Sequence, residues 1–171
     1  ILWDDIKREF PSFPQEAFDK AVKWAYYEIQ LNNASTQNRI TDVSREDSLE
    51  VNTAWDLGWA GWWDETCIRF FQVYGWEIRI IDYWEWNWFS MIDIIKNQIL
   101  EKPYRYGYHL APHDIKVHEY STWKTRFNTA LSMGLRFDVV GSISVSDGID
   151  KVRNIFSKCW FDQNKCKKWL S

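Results

Sequence analysis

A chain of 171 residues with 46% hydrophobic and 26% charged side chains is long enough to bury a core and too apolar to stay disordered. No apolar run approaches the ~20 residues of a membrane helix and no signal-peptide pattern opens the chain, so a cytoplasmic protein is expected. The net charge of −3 hides an asymmetry: residues 1–100 hold 9 basic and 17 acidic side chains, residues 101–171 hold 12 and 7, a balance that suits either a polyanionic partner or a solvated lysine-rich face.

In chain order, "FPSFPQEAFDKAVKWAYYEIQL" reads as a helix entered through Pro14, and "NNASTQNRITDVSREDS" as a polar linker. From Leu49 the texture changes. "LEVNTAWD", "TCIRFFQVYG" and "WEIRIIDYWE" read as three strands, with a tight hairpin at Gly75 between the last two. "SMIDIIKNQILEK" has helical spacing up to Pro103, and "YGYHLAPHD" follows as a short strand. "STWKTRFNTALSMG" reads as a helix closed by Gly134, "LRFDVV" as a strand and "SVSDGIDKVRNIFSK" as a helix, before "CWFD" and a lysine-rich tail. Three meandering strands followed by crossover helices predict an α/β fold with a mixed sheet covered on both faces. The first of these strands is expected at the centre, between the second and "YGYHL".

That topology brings Asp56, at the end of "VNTAWD", and Asp114, just after "YGYHLAP", to one edge of the sheet. Sites in open α/β sheets favour the carboxyl ends of strands, and two adjacent carboxylates repel unless a divalent cation lies between them. Taken singly, Asp56 has a plainer role as a strand-end cap. Asp82 and Glu85 read as a polar strand end facing solvent, His113 as a residue supporting its turn, and Asp147 and Asp150 as helix-start acids. Cys67, Cys159 and Cys166 have no zinc-like spacing and are expected to be free thiols.

Ten stretches carry a further reading: "FPSFPQEAF", "AYYEIQ", "RITDV", "VNTAWDLG", "DETCIRFFQVYG", "EIRIIDYWE", "YHLAPHDIKV", "TRFNTALSMGLRF", "ISVSDGIDKVRNIF" and "CWFD". In this order they resemble the C-terminal ribonuclease H-like nuclease domain of bacteriophage terminase large subunits. The resemblance implies a metal-dependent endonuclease that cuts concatemeric double-stranded viral DNA during packaging, with the small terminase subunit and the portal protein as partners of the full motor. It implies Asp56 and Asp114 as catalytic metal ligands for two Mg²⁺ or Mn²⁺ ions, with Asp64 assisting. Lys116, Lys124 and Arg126 follow the metal edge and read either as phosphate contacts that bind DNA without reading its sequence or as solvated helix-end charges. Hard cations need carboxylate oxygens, and a pair about 4 Å apart can activate water and stabilise the leaving oxygen of a phosphodiester.

On the same resemblance, residues 1–48 are a helix and linker from an ATPase domain, and 49–171 the nuclease domain, truncated before a helix that bears a third carboxylate. No Gly-x-x-x-x-Gly-Lys-[Ser/Thr] motif occurs, so the ATPase site itself is not within this sequence. Trp59, Trp62, Trp63, Trp76, Trp88 and Trp123 stand where such proteins carry glycine or small polar residues. Two alternatives fit the same residues: a non-catalytic DNA-gripping or docking module of the motor, and another ribonuclease H-like nuclease such as a resolvase.

Overall fold

The computed structural model describes residues 15–58, 65–86, 90–116 and 125–170, with side chains from residue 26 onward. Helix α1 (Gln15–Thr36) runs beyond the expected helix end. It closes where Asn38 adopts φ +54° and the Arg39 N–H reaches back to the Ala34 carbonyl at 2.8 Å, a Schellman arrangement with asparagine in the left-handed position. Asp64 and Lys124 lie outside the described residues, as do Trp59, Trp62, Trp63, Trp88 and Trp123.

The expected polar linker is shorter than its composition suggests. Ile40–Thr41 form a strand, β1, and Val43 is buried in the core. Four longer strands follow: β2 (Val51–Asp56), β3 (Thr66–Tyr74), β4 (Glu77–Trp86) and β5 (Tyr106–Ala111). Helix α2 (Met91–Ile94) widens into a π-helical stretch, Ile95–Leu100, between β4 and β5. Beyond β5 come a 3₁₀ turn (His113–Lys116), α3 (Arg126–Ser132), β6 (Asp138–Val139), α4 (Val145–Phe156), β7 (Cys159–Asp162) and α5 (Lys167–Leu170).

The seven strands form one mixed sheet in the order β1-β7-β4-β3-β2-β5-β6. Strands β2, β3 and β4 are antiparallel neighbours, and β5 lies parallel on the other side of β2, as the connections predict. The β3–β4 hairpin closes through the two residues Gly75 and Trp76, with Gly75 at φ +59°, a region glycine enters without steric cost. Trp76 beside it is 86% exposed, with the Lys158 ammonium 5.6 Å from its ring centre.

Period-two burial in β2 sends Val51, Thr53 and Trp55 to one face and Asn52, Ala54 and Asp56 to the other. On the first face, α2, its π-helical extension and α3 cover a core built from Val51, Trp55, Ile68, Phe70, Ile81, Ile95, Ile99 and Ala130. On the second face, α1, α4 and the turn into α5 place Ala34, Phe156 and Cys166 against Ile80, Cys159 and Phe161. With helices on both faces of a mixed sheet in this strand order, the chain has the ribonuclease H-like α/β fold that the resemblance implies.

Arg39 and Asp162 tie the N-terminal segment to the far side of the sheet. The buried Arg39 guanidinium donates to the carbonyls of Phe156 (2.8 Å) and Cys159 (2.7 Å). Buried Asp162 accepts from the backbone N–H groups of Val43 on one oxygen and of Asn164 and Lys165 on the other.

Candidate metal centre

Parallel pairing of β2 with β5 decides what meets at the edge. Ala54 is opposite Leu110. Asp56 stands two residues beyond Ala54 at the end of β2, and Asp114 four residues beyond Leu110, in the 3₁₀ turn that caps β5. The two acids thus leave neighbouring parallel strands at their carboxyl ends, where α/β sheets build ligand sites. Leu57 and Gly58 remain buried after the strand, and the Gly58 N–H donates to Thr66 Oγ1 at 3.2 Å, which staples the root of the connection to β3.

The environments of the two carboxylates differ. Asp56 is solvent-exposed and pairs across the ladder with Cys67. Burial pushes the Cys67 thiol above its ordinary pKa, with the Arg69 guanidinium opposing that rise and the Asp56 carboxylate adding to it. Asp114 is half-buried, and its Oδ1 is fully buried with no hydrogen-bond partner, the one such side-chain atom among the described residues. A buried, unpartnered carboxylate oxygen costs on the order of 1–3 kcal/mol or more, and a hard cation relieves that cost by direct ligation. The donor set therefore fits a divalent, oxygen-preferring ion. Among the described residues no three His, Cys, Asp or Glu side chains gather at metal-ligand spacing.

Lys116 is exposed at the end of the 3₁₀ turn, two residues past Asp114, with its ammonium 5.9 Å from the Phe127 ring centre. Arg126 is half-buried as the first residue of α3, whose N-cap Thr125 accepts from the Asn128 N–H at 3.0 Å. His113 opens the 3₁₀ turn with its side chain exposed.

The acids of β4 do not face solvent as expected. Asp82 binds Lys102 Nζ at 2.5 Å, with the Tyr104 hydroxyl at 3.4 Å. The Glu85 side chain, only 9% exposed, pairs with Lys168 at 2.8 Å and accepts from the Tyr83 hydroxyl. Their long-range partners, Lys102 and Lys168, come from segments that the local pattern of β4 does not reveal. Asp147 does lie in the first turn of α4, below the Ser144 N-cap, and Asp150 pairs with Arg153.

Beneath the edge, a buried polar chain links the two strands that carry the acids. The Trp55 indole N–H donates to Thr53 Oγ1 at 2.8 Å, and the same hydroxyl lies 2.7 Å from His109 Nδ1. Burial lowers the His109 pKa to about 4, with the Asp138 carboxylate opposing, so the imidazole is neutral at physiological pH. A neutral ring can accept the threonine proton at Nδ1 while the hydroxyl accepts the indole N–H.

No protein-family model matches the chain, and no curated protein does. Among solved structures, it is similar to the large terminase of a thermophilic bacteriophage, with a TM-score of 0.56 and 13% identity over 78% of this chain. The match spans 34% of that terminase, so this sequence corresponds to about a third of its length. It is equally similar to the P22 large terminase nuclease domain, with a TM-score of 0.56 and 15% identity, covering 78% of this chain and 72% of that domain. The chain has the fold of a phage large-terminase nuclease domain.

Proposed function

We propose that this chain is the metal-dependent endonuclease domain of a phage terminase large subunit, cutting concatemeric double-stranded DNA during genome packaging. The observation that carries this reading is the orphaned, buried Oδ1 of Asp114, at the same edge as the terminal carboxylate of the neighbouring strand. Asp56 and Asp114 are the residues that would hold Mg²⁺ or Mn²⁺, with Asp64 assisting. When bound, the ions supply activation of the attacking water and neutralisation of charge on the scissile phosphate.

The chain's own residues do the rest. Asp56, exposed, approaches the solvent and substrate side, while Asp114 is held by its short turn against the buried Ile115. Lys116 and Arg126 are the cations that would meet the backbone of a duplex, positioning it without base readout, and Lys124 is assigned the same role. In the full motor the small subunit and the portal would be its neighbours, and α1 would lead back to the ATPase domain.

The test is incubation of supercoiled plasmid with Mn²⁺ and the protein, beside its Asp56→Asn and Asp114→Asn variants. Nicking that falls by at least about 100-fold in both variants is expected from loss of a metal ligand. Equal nicking by parent and variants would remove the assignment.

A further inference from the structure

Pairing between β2 and β5 contains an irregularity just below the candidate metal edge. Val51 is opposite Tyr106, yet Thr53 is opposite His109, so β5 carries one extra residue where β2 advances by two. This bulge falls at Gly107 and Tyr108, and two features hold it. The Tyr108 N–H donates to Asn52 Oδ1 at 2.8 Å, so an amide side chain takes the donor released from the ladder. Gly107 is the space that makes this possible. A Cβ there would stand 2.6 Å from Asn52 Oδ1 and 2.9 Å from Glu50 Oε2, inside contact distance of both. On the opposite face, the Thr53–His109 contact at 2.7 Å pins the first pair after the bulge.

We infer that Asn52 and Gly107 are positioning residues that lock the β5 bulge and thereby set where Asp114 stands along the edge relative to Asp56. The inference rests on the metal reading above. One residue of strand advances about 3.3 Å, close to the ~4 Å that separates two hydrolytic metal ions. A one-residue change of register also turns each β5 side chain to the other face. Buried His109 and Ala111 resist that reversal, so loosening the lock disorders the position of Asp114 before it unfolds the sheet.

The experiment is Mn²⁺ titration of the whole chain followed by electron paramagnetic resonance, with thermal melting of every variant. Asn52→Ala removes the acceptor, Gly107→Ala drives a methyl into it, Asn52→Asp restores an acceptor oxygen, and Asp114→Asn removes the ligand. Asn52→Ala and Gly107→Ala are expected to melt cooperatively and to bind Mn²⁺ at least about 10-fold more weakly, the scale on which loss of outer support to a metal ligand registers. Asn52→Asp is expected to bind within about 3-fold of the parent, a rescue that packing alone does not provide. Parent-like Mn²⁺ affinity in a folded Asn52→Ala overturns the inference. If that variant does not melt cooperatively, Gly107→Ala decides by the same criterion. A parent that binds Mn²⁺ no more tightly than Asp114→Asn overturns the metal reading itself, a result distinct from failure of the lock.

Discussion

Asp114 buries a carboxylate oxygen without a hydrogen-bond donor, whereas an asparagine amide in its place carries no charge. Its buried Oδ1 has no partner, so without divalent ions Asp114→Asn should stabilise the fold by about 1 kcal/mol, read as a raised Tm. Addition of Mn²⁺ should reverse the ranking, because only the carboxylate gains a strong ligand bond. A variant less stable than the parent in chelator would show that the oxygen is compensated by protein. His109 imposes a pH dependence of its own. Its folded pKa of about 4 lies below the ordinary 6.5, so the unfolded chain binds the extra proton first. The stability from keeping the ring neutral is complete above pH 6.5 and is lost as pH falls toward 4, a loss of about 3 kcal/mol. Urea unfolding of the parent and His109→Phe across pH 7 to 4 should show a steeper fall in the parent.

The edge strand β1 holds only two residues, too few to stand on ladder hydrogen bonds alone. Arg39 does the anchoring, and Arg39→Ala should cost about 2–4 kcal/mol in urea unfolding because two buried carbonyls lose a charged donor. Sequence pattern missed this strand for a physical reason: "RITDV" is polar and short, and only its pairing with β7, from the other end of the chain, makes it a strand. The longer elements were legible because β2 alternates cleanly and α3 has both its Thr125 cap and its Gly134 stop. Gly107 was legible in principle, since an isolated glycine within a strand pattern signals a bulge or close approach. What it approaches is Asn52, on another strand. The 3₁₀ turn presents Lys116 beyond β5, and Lys116→Ala should weaken duplex binding alike for all sequences, lowering the slope of log K against log salt by about 1. An unchanged slope would place Lys116 off the DNA path.

Across the whole fold, all three cysteines are buried and free. Burial raises the thiol pKa of Cys159 to about 11 and of Cys166 to about 12, so little thiolate exists near neutrality. Native protein should therefore react slowly with a disulfide reagent such as DTNB, and three thiols should titrate at once in guanidinium. Rapid modification of one thiol in native buffer would mean that its core opens locally. The mixed sheet also explains why the order of connections was enough to place the two acids beyond the ends of neighbouring strands. Antiparallel strands after short turns, followed by crossover helices, leave few arrangements, and the simplest puts β5 beside β2.

Local chemistry was enough to establish the α/β class, the central place of β2, the Gly75 hairpin and the shared edge of Asp56 and Asp114. Periodicity, turn residues and connection length act over a few neighbours and survive in any environment. Only the tertiary structure decided that "RITDV" joins the sheet, that Asp82 and Glu85 are paired, that Asp114 holds an orphaned oxygen and that Asn52 fills the β5 bulge. Each of these depends on a partner distant in sequence, and burial and pairing are properties of the packed whole.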